Sequence, residues 1–267
     1  MSRLNLLLGL FASGGLAVAI ATFWLALAAP FVLVPRGRRE RLVMWTNRAA
    51  SWMILRFALL ATLDVKGREH LPEKPYMVVC NHRGFCDVLT LIWAANAEGV
   101  SKREVLYFPA MGLLGYLGGA VFFDRKSPED RRRAKEDTLF QLRSGNAMHL
   151  YPEGTRARTG LVRQKQHWGL VHAVYAAGIQ VVPAAVWGTD DVIPVSNAGV
   201  RYGQRVSARF APAVQPADHP TQEAFCEAIW AETSRMVEEL YSADPGSAGA
   251  SAGASSAGAV LPPTSNM

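Results

Sequence analysis

The sequence predicts an α/β domain, a central mixed sheet flanked by helices, behind an N-terminal membrane-anchoring helical segment. Three observations lead there. Residues 4–34 contain no charged side chain. Beyond residue 63, short β-branched and aromatic runs alternate with longer helical stretches, the signature of a layered α/β domain. Hydrophobic residues make up 50% of the 267, and charged residues only 19%, below the roughly one quarter usual in soluble domains.

The first element is the apolar run. At about 1.5 Å per residue it extends roughly 46 Å as a helix, beyond a hydrocarbon core of ~30 Å. One tilted span fits, and so does a bent pair of shorter helices with Gly14-Gly15 at the bend. Ala26-Leu27-Ala28 resembles a signal-peptide cleavage site, but the run continues through Phe31-Val32-Leu33-Val34, which favours a retained anchor over residues 1–35. Arg36, Arg38, Arg39 and Arg41 follow the run and only Arg3 precedes it, so the positive-inside rule places the bulk of the chain on the cytoplasmic face.

Residues 36–63 read as an amphipathic interfacial helix. Leu42, Trp45, Ala49 and Trp52 recur at helical steps, with Arg41, Arg48 and Arg56 between them, a mixture suited to the headgroup zone. The α/β domain then spans 64–241. Strands are expected at 63–65, 76–80, 105–108, 120–123, 148–151, 181–187 and 206–210, and helices at 86–97, 129–144, 167–177 and 221–241. Ser127-Pro128-Glu129 supplies a cap, an early proline and an acidic first turn for the second of these helices, and Gly178 ends the third. Residues 242–267, rich in Gly, Ala and Ser, read as a disordered tail.

The net charge of +6 favours an anionic partner. No nucleic-acid recognition motif accompanies it, and the basic residues gather near the apolar segment and the candidate site. Cys80, Cys86 and Cys226 are an odd set without repeated spacing, which argues against a disulfide framework and against structural zinc.

Two turns carry candidate chemistry. Cys80-Asn81-His82-Arg83-Gly84-Phe85-Cys86-Asp87 follows the strand at 76–80 and leads into a helix. Asp87 can fold back onto the His82 imidazole, fix its tautomer and leave the other ring nitrogen to accept a proton. Tyr151-Pro152-Glu153-Gly154-Thr155-Arg156 follows another strand, with a glycine for close backbone approach and an arginine fork for phosphate. Cations also occur at Lys102 and Arg125, whereas Arg131-Arg132-Arg133 reads as a solvated helix face. His149, His167 and His172 offer no metal-binding spacing.

The ordered set of motifs resembles the glycerolipid acyltransferase family of the 1-acylglycerol-3-phosphate acyltransferase (PlsC-like) type. These are His82…Asp87, Lys102…Pro109…Gly112…Arg125, Glu153-Gly154-Thr155-Arg156, and Val181-Val182-Pro183-Ala184. The resemblance covers residues 64 to 215 and implies the glycerol-3-phosphate acyltransferase-like fold. It implies His82 as general base and Asp87 as its orienter. It assigns Lys102, Arg125 and Arg156 to the acceptor's phosphate, Glu153, Gly154 and Thr155 to the acceptor pocket, and Pro183 to support of the acyl-donor side. It also implies acyl-CoA or an acyl carrier protein as co-substrate, a lyso-lipid phosphate at the bilayer as acceptor, and no metal or other cofactor. Gly84 stands where many members carry serine. Gln164-Lys165-Gln166-His167-Trp168-Gly169 stands where many carry Phe-Lys-Lys-Gly.

The expected reaction is direct acyl transfer to 1-acylglycerol 3-phosphate, giving phosphatidic acid. Other readings remain: glycerol 3-phosphate or another lyso-lipid as acceptor, a covalent acyl-cysteine at Cys80 or Cys86, or a non-catalytic membrane lipid-binding protein.

Overall fold

The computed structural model describes residues 3–157, 161–194 and 199–244. The expected tail lies, from residue 245 onward, outside these. Helix α1 (Arg3–Ala28) runs unbroken through Gly14 and Gly15, so no bend divides the anchor there. A 3-10 turn, Ala29–Leu33, extends it. The stretch Phe11–Leu33 is long and apolar enough to cross a membrane, with a mean hydropathy of 2.3.

Helix α2 (Arg38–Met53) folds back along α1 and runs into a π turn at Ile54–Ala58. The helix expected to reach residue 63 therefore stops short. Leu60 takes a left-handed φ of 51°, and strand β1 (Thr62–Lys66) begins two residues later. Val43, Met44, Asn47, Ala50 and Ser51 point inward, while Leu42, Trp45 and Trp52 stay exposed, so the tryptophan-bearing stripe is the outer face.

The remaining elements are β2 (Tyr76–Cys80), α3 (Cys86–Ala95), β3 (Glu98–Lys102), α4 (Met111–Gly118), β4 (Val121–Phe123), α5 (Pro128–Arg143), β5 (Ala147–Leu150), α6 (Gly169–Ala176), β6 (Val181–Trp187), α7 (Thr189–Val192), β7 (Arg205–Phe210) and α8 (Gln222–Ser242). Among the described residues the strands form one seven-stranded sheet in the order β1-β7-β6-β2-β5-β3-β4. It is mixed: β6, β2, β5, β3 and β4 run parallel, and β7 with β1 runs against them.

Burial on both faces explains the near-continuous apolar strands. In β2, Met77 and Val79 pack with Val171 of α6 and Phe225 and Ile229 of α8. Tyr76, Val78 and Cys80 point the other way, toward Leu91 and Ala94 of α3. On that side α3 in turn meets α1, α2 and α4 through Cys86 and Leu89. Helices α1 and α2 are thus packed onto the domain. Ser127 caps α5 as its sequence predicts, its Oγ accepting the Asp130 N–H at 3.1 Å.

One expected strand is wrong. Residues 105–108 fall in a 3-10 turn, Arg103–Tyr107, and the strand lies earlier, at β3. Glu98 and Gly99 register with Met148 and His149 of β5. Residue 105 is therefore already past the sheet's end, where the chain must turn before Pro109 to start α4.

Candidate active site

The carboxyl ends of parallel strands gather loops on one edge of the sheet. Because β2 and β5 are neighbours, the loop holding His82 lies against the loop holding Glu153. Lys102 ends β3, Arg125 follows β4 and Thr189 follows β6, all at the same edge.

Asp87 sits in the first turn of α3 and is fully buried. Its Oδ2 lies 2.7 Å from His82 Nδ1 and accepts the Arg83 N–H at 2.7 Å and the Gly84 N–H at 3.0 Å. Its Oδ1 accepts the Thr189 hydroxyl. A carboxylate held this way keeps the proton on Nδ1 and directs Nε2 outward. Nε2 has no hydrogen-bond partner among the described residues, and 18% of the His82 side chain is open to solvent.

The imidazole is also fixed from one side. The Tyr151 ring stacks on it with centroids 4.2 Å apart and planes 12° from parallel. Behind Tyr151 stands His149, centroids 5.3 Å apart, whose Nδ1 faces the Ala97 carbonyl oxygen at 3.0 Å. Burial pushes His149 down to about 4, so it is a neutral packing residue rather than a second base.

Glu153 is buried between loops. Its Oε1 accepts the His82 N–H at 2.7 Å and its Oε2 accepts the Arg163 N–H at 2.8 Å. Burial raises its pKa, and these bonds oppose the rise. Gly154 turns with a φ of 67°, and its carbonyl accepts a bond from Arg125.

A cavity of 490 Å³ opens beside these loops. Its lining includes Arg125, Glu153, Gly154 and Thr155, and also Arg131, Lys135, Arg163 and His167. Arg156 flanks the same turn, partly buried, with no hydrogen bond or ion pair among the described residues. Lys102 is exposed at the edge, outside the cavity lining. Pro183 lies inside β6, buried, in register with Val79 and outside the cavity lining.

Several neighbours of the site escaped the sequence. Thr189 lies more than a hundred residues from Asp87, with no motif to pair them. His167, considered in the sequence only for metal spacing, lines the cavity, and its ring lies 3.1 Å from where a Gly154 Cβ would sit. Arg131, assigned to a solvated face, also lines it. Gly84 has a steric reason: a Cβ there would sit 2.7 Å from the Thr189 carbonyl carbon. Cys80 and Cys86 are buried, and burial with the nearby Asp87 charge raises both thiols, the wrong direction for a nucleophile.

Residues 62–187 match the family model described as Acyltransferase. The chain is similar to the 1-acyl-sn-glycerol-3-phosphate acyltransferase of Saccharomyces cerevisiae, 26% identical over 163 residues, covering 58% of this chain and 52% of that one. It is similar to the chloroplastic LPAT1 of Arabidopsis thaliana, 26% identical over 186 residues, covering 67% and 51%. The chain therefore spans about half the length of these relatives. It is also similar to the lyso-ornithine lipid O-acyltransferase of Pseudomonas aeruginosa, 27% identical over 198 residues, covering 74% of each. The fold matches the crystal structure of the 1-acyl-sn-glycerophosphate acyltransferase PlsC from Thermotoga maritima, with a TM-score of 0.76, 23% identity, and coverage of 90% of this chain and 98% of that one.

Proposed function

We propose, from the match of residues 62–187 to the Acyltransferase family model, that the chain is an acyltransferase that moves a fatty acyl group from acyl-CoA or an acyl carrier protein to the hydroxyl of 1-acylglycerol 3-phosphate, giving phosphatidic acid. The observation that carries this reading is the His82–Asp87 pair, whose 2.7 Å contact leaves Nε2 without a partner among the described residues, next to Tyr151 and Glu153, which line the cation-bearing cavity.

The chemistry follows from that geometry. Nε2 of His82 takes the proton as the acceptor oxygen bonds to the thioester carbonyl carbon. Asp87 stabilises the imidazolium that forms. The tetrahedral intermediate then collapses, the carbon–sulfur bond breaks, and the leaving thiolate takes the proton back from His82. Tyr151 and the Glu153 carboxylate keep the ring and its backbone in place. Arg125, Arg156 and Lys102 are assigned to the acceptor phosphate, with Thr155 at the rim. Such positioning contributes up to about 7–11 kcal/mol in ideal cases. The reaction as written uses no metal or further cofactor. The apolar helix brings the site to the bilayer, where the lipid acceptor resides. The arginines following that helix favour the cytoplasmic side.

The test is acyl transfer in membranes from both donors to 1-acylglycerol 3-phosphate, with background thioester hydrolysis subtracted, for the parent chain and His82→Ala. Loss of transfer in the variant supports both reaction and base; survival overturns the mechanism. A second reading has a lyso-ornithine lipid as acceptor. It is favoured by the balanced coverage of the Pseudomonas relative, and the same assay with that acceptor separates the two.

A further inference from the structure

A second cavity, 620 Å³ in volume, lies apart from the catalytic pair. It sits between the start of α2, the turn after β3, α4 and α5. Arg36, Arg39, Arg103 and Arg133 line it, with Glu40 and Asp137 among them. Arg36 pairs with Asp137 at 3.2 Å, Arg39 with Glu40 at 2.9 Å, and Arg103 and Arg133 share Asp130, the latter at 3.9 Å. Four guanidiniums thus meet three carboxylates, which leaves one positive charge in surplus. Arg39 is only 8% exposed, and its Nε is buried with no partner among the described residues.

The surroundings indicate which anion. The cavity adjoins the end of the apolar segment, where Val32 and Leu33 are 55% and 89% exposed. Tyr107 and Tyr116, 73% and 50% exposed, flank its mouth. Exposed apolar side chains, aromatic rings and arginines together suit the interfacial layer of a bilayer. A lining with more guanidiniums than carboxylates suits an anionic phosphodiester. We infer that this cavity binds the headgroup of an anionic phospholipid, as a site separate from the one that takes the acceptor.

The separation has structure behind it. β4 and α5 form a partition: Phe123, Arg125, Arg131, Ala134 and Lys135 line the catalytic cavity, and Phe122, Arg133 and Asp137 line the other.

The experiment is isothermal titration of the full chain in nonionic detergent with dihexanoyl phosphatidylglycerol, dihexanoyl phosphatidylcholine and inorganic phosphate. The variants are Arg103→Gln/Arg133→Gln and Arg125→Ala. Arg103 and Arg133 are 47% and 65% exposed, so the double variant keeps its fold, checked by its melting profile. The expected result is phosphatidylglycerol binding weakened about tenfold or more in the double variant, the loss of a charge-assisted contact, and unchanged in Arg125→Ala. Unchanged binding in the double variant, or loss only in Arg125→Ala, overturns the site. Phosphatidylcholine binding as tightly overturns the charge match, and inorganic phosphate binding as tightly overturns the lipid assignment in favour of free phosphate.

Discussion

Glu153 holds the main chain of His82: its Oε1 accepts the His82 N–H at 2.7 Å, while its Oε2 ties down Arg163 at 2.8 Å. The most recognisable acid of the second motif is therefore engaged by backbone before any substrate arrives. Glu153→Gln preserves shape but sets an amide against one of these N–H donors. The expected outcome is a stability loss of about 1–3 kcal/mol, read by urea unfolding, and a fall in kcat with KM little changed. A variant as active and stable as the parent removes Glu153 from the linkage.

Thr189→Val deletes the hydroxyl that serves Asp87 Oδ1. Losing one hydrogen bond to a charged group corresponds to roughly a tenfold lower kcat. Steady-state kinetics decide the point: a raised KM at unchanged kcat would assign Thr189 to substrate binding instead.

Gly84→Ser restores the residue common in the resembling family, yet its Cβ would press on the Thr189 backbone, 2.7 Å from the carbonyl carbon. Overpacking of this kind costs about 1–3 kcal/mol. Thermal melting and acyl transfer should both decline; a serine variant with improved activity would show that the first turn of α7 yields freely.

Cys80→Ala/Cys86→Ala tests the covalent alternative. Both thiols are buried and raised, so the double variant should retain most of its transfer activity per folded molecule. No acyl-enzyme should accumulate in mass spectra of the parent with donor alone. An acyl adduct on either cysteine overturns direct transfer.

Glu98 offers a pH signature of stability. It is buried, and burial lifts it to about 7 from 4.5, while Asn47 donates to it. Between those values the native chain holds a proton that the unfolded chain releases, so stability declines as pH rises through that window. The penalty at pH 8 is about 3 kcal/mol at most. Glu98→Gln removes the titration, so the variant should gain on the parent between pH 5 and pH 8 in urea unfolding. Parallel stability profiles would refute this.

Where the sequence was legible, the physics was local. β6 was readable to the residue because an apolar run bounded by Gly178 and Gly188 admits one reading, and α5 because Ser127-Pro128 marks its start. The His82–Asp87 contact was legible for the same reason: five residues across a strand-to-helix turn leave few geometries. The Thr189 hydroxyl, the stacking of Tyr151 and the approach of His167 to Gly154 depend on which strands become neighbours, and no window of sequence encodes that. The misplaced strand at 105–108 has the same origin. Its residues suit a strand, but β3 already supplies the partner for β5 and β4.

The position of β1 bears on how the protein is made. The strand that directly follows the N-terminal helices pairs with β7, Thr62 opposite Arg205, and Asp64 holds Arg205 and Arg209 at 2.7 Å each. During synthesis the apolar helix emerges first and can enter the bilayer. β1 must then wait until most of the chain has left the ribosome before its partner exists. Such a non-local contact is slow to form, so the strand joining the N-terminal helices to the domain can lock only once β7 has been made.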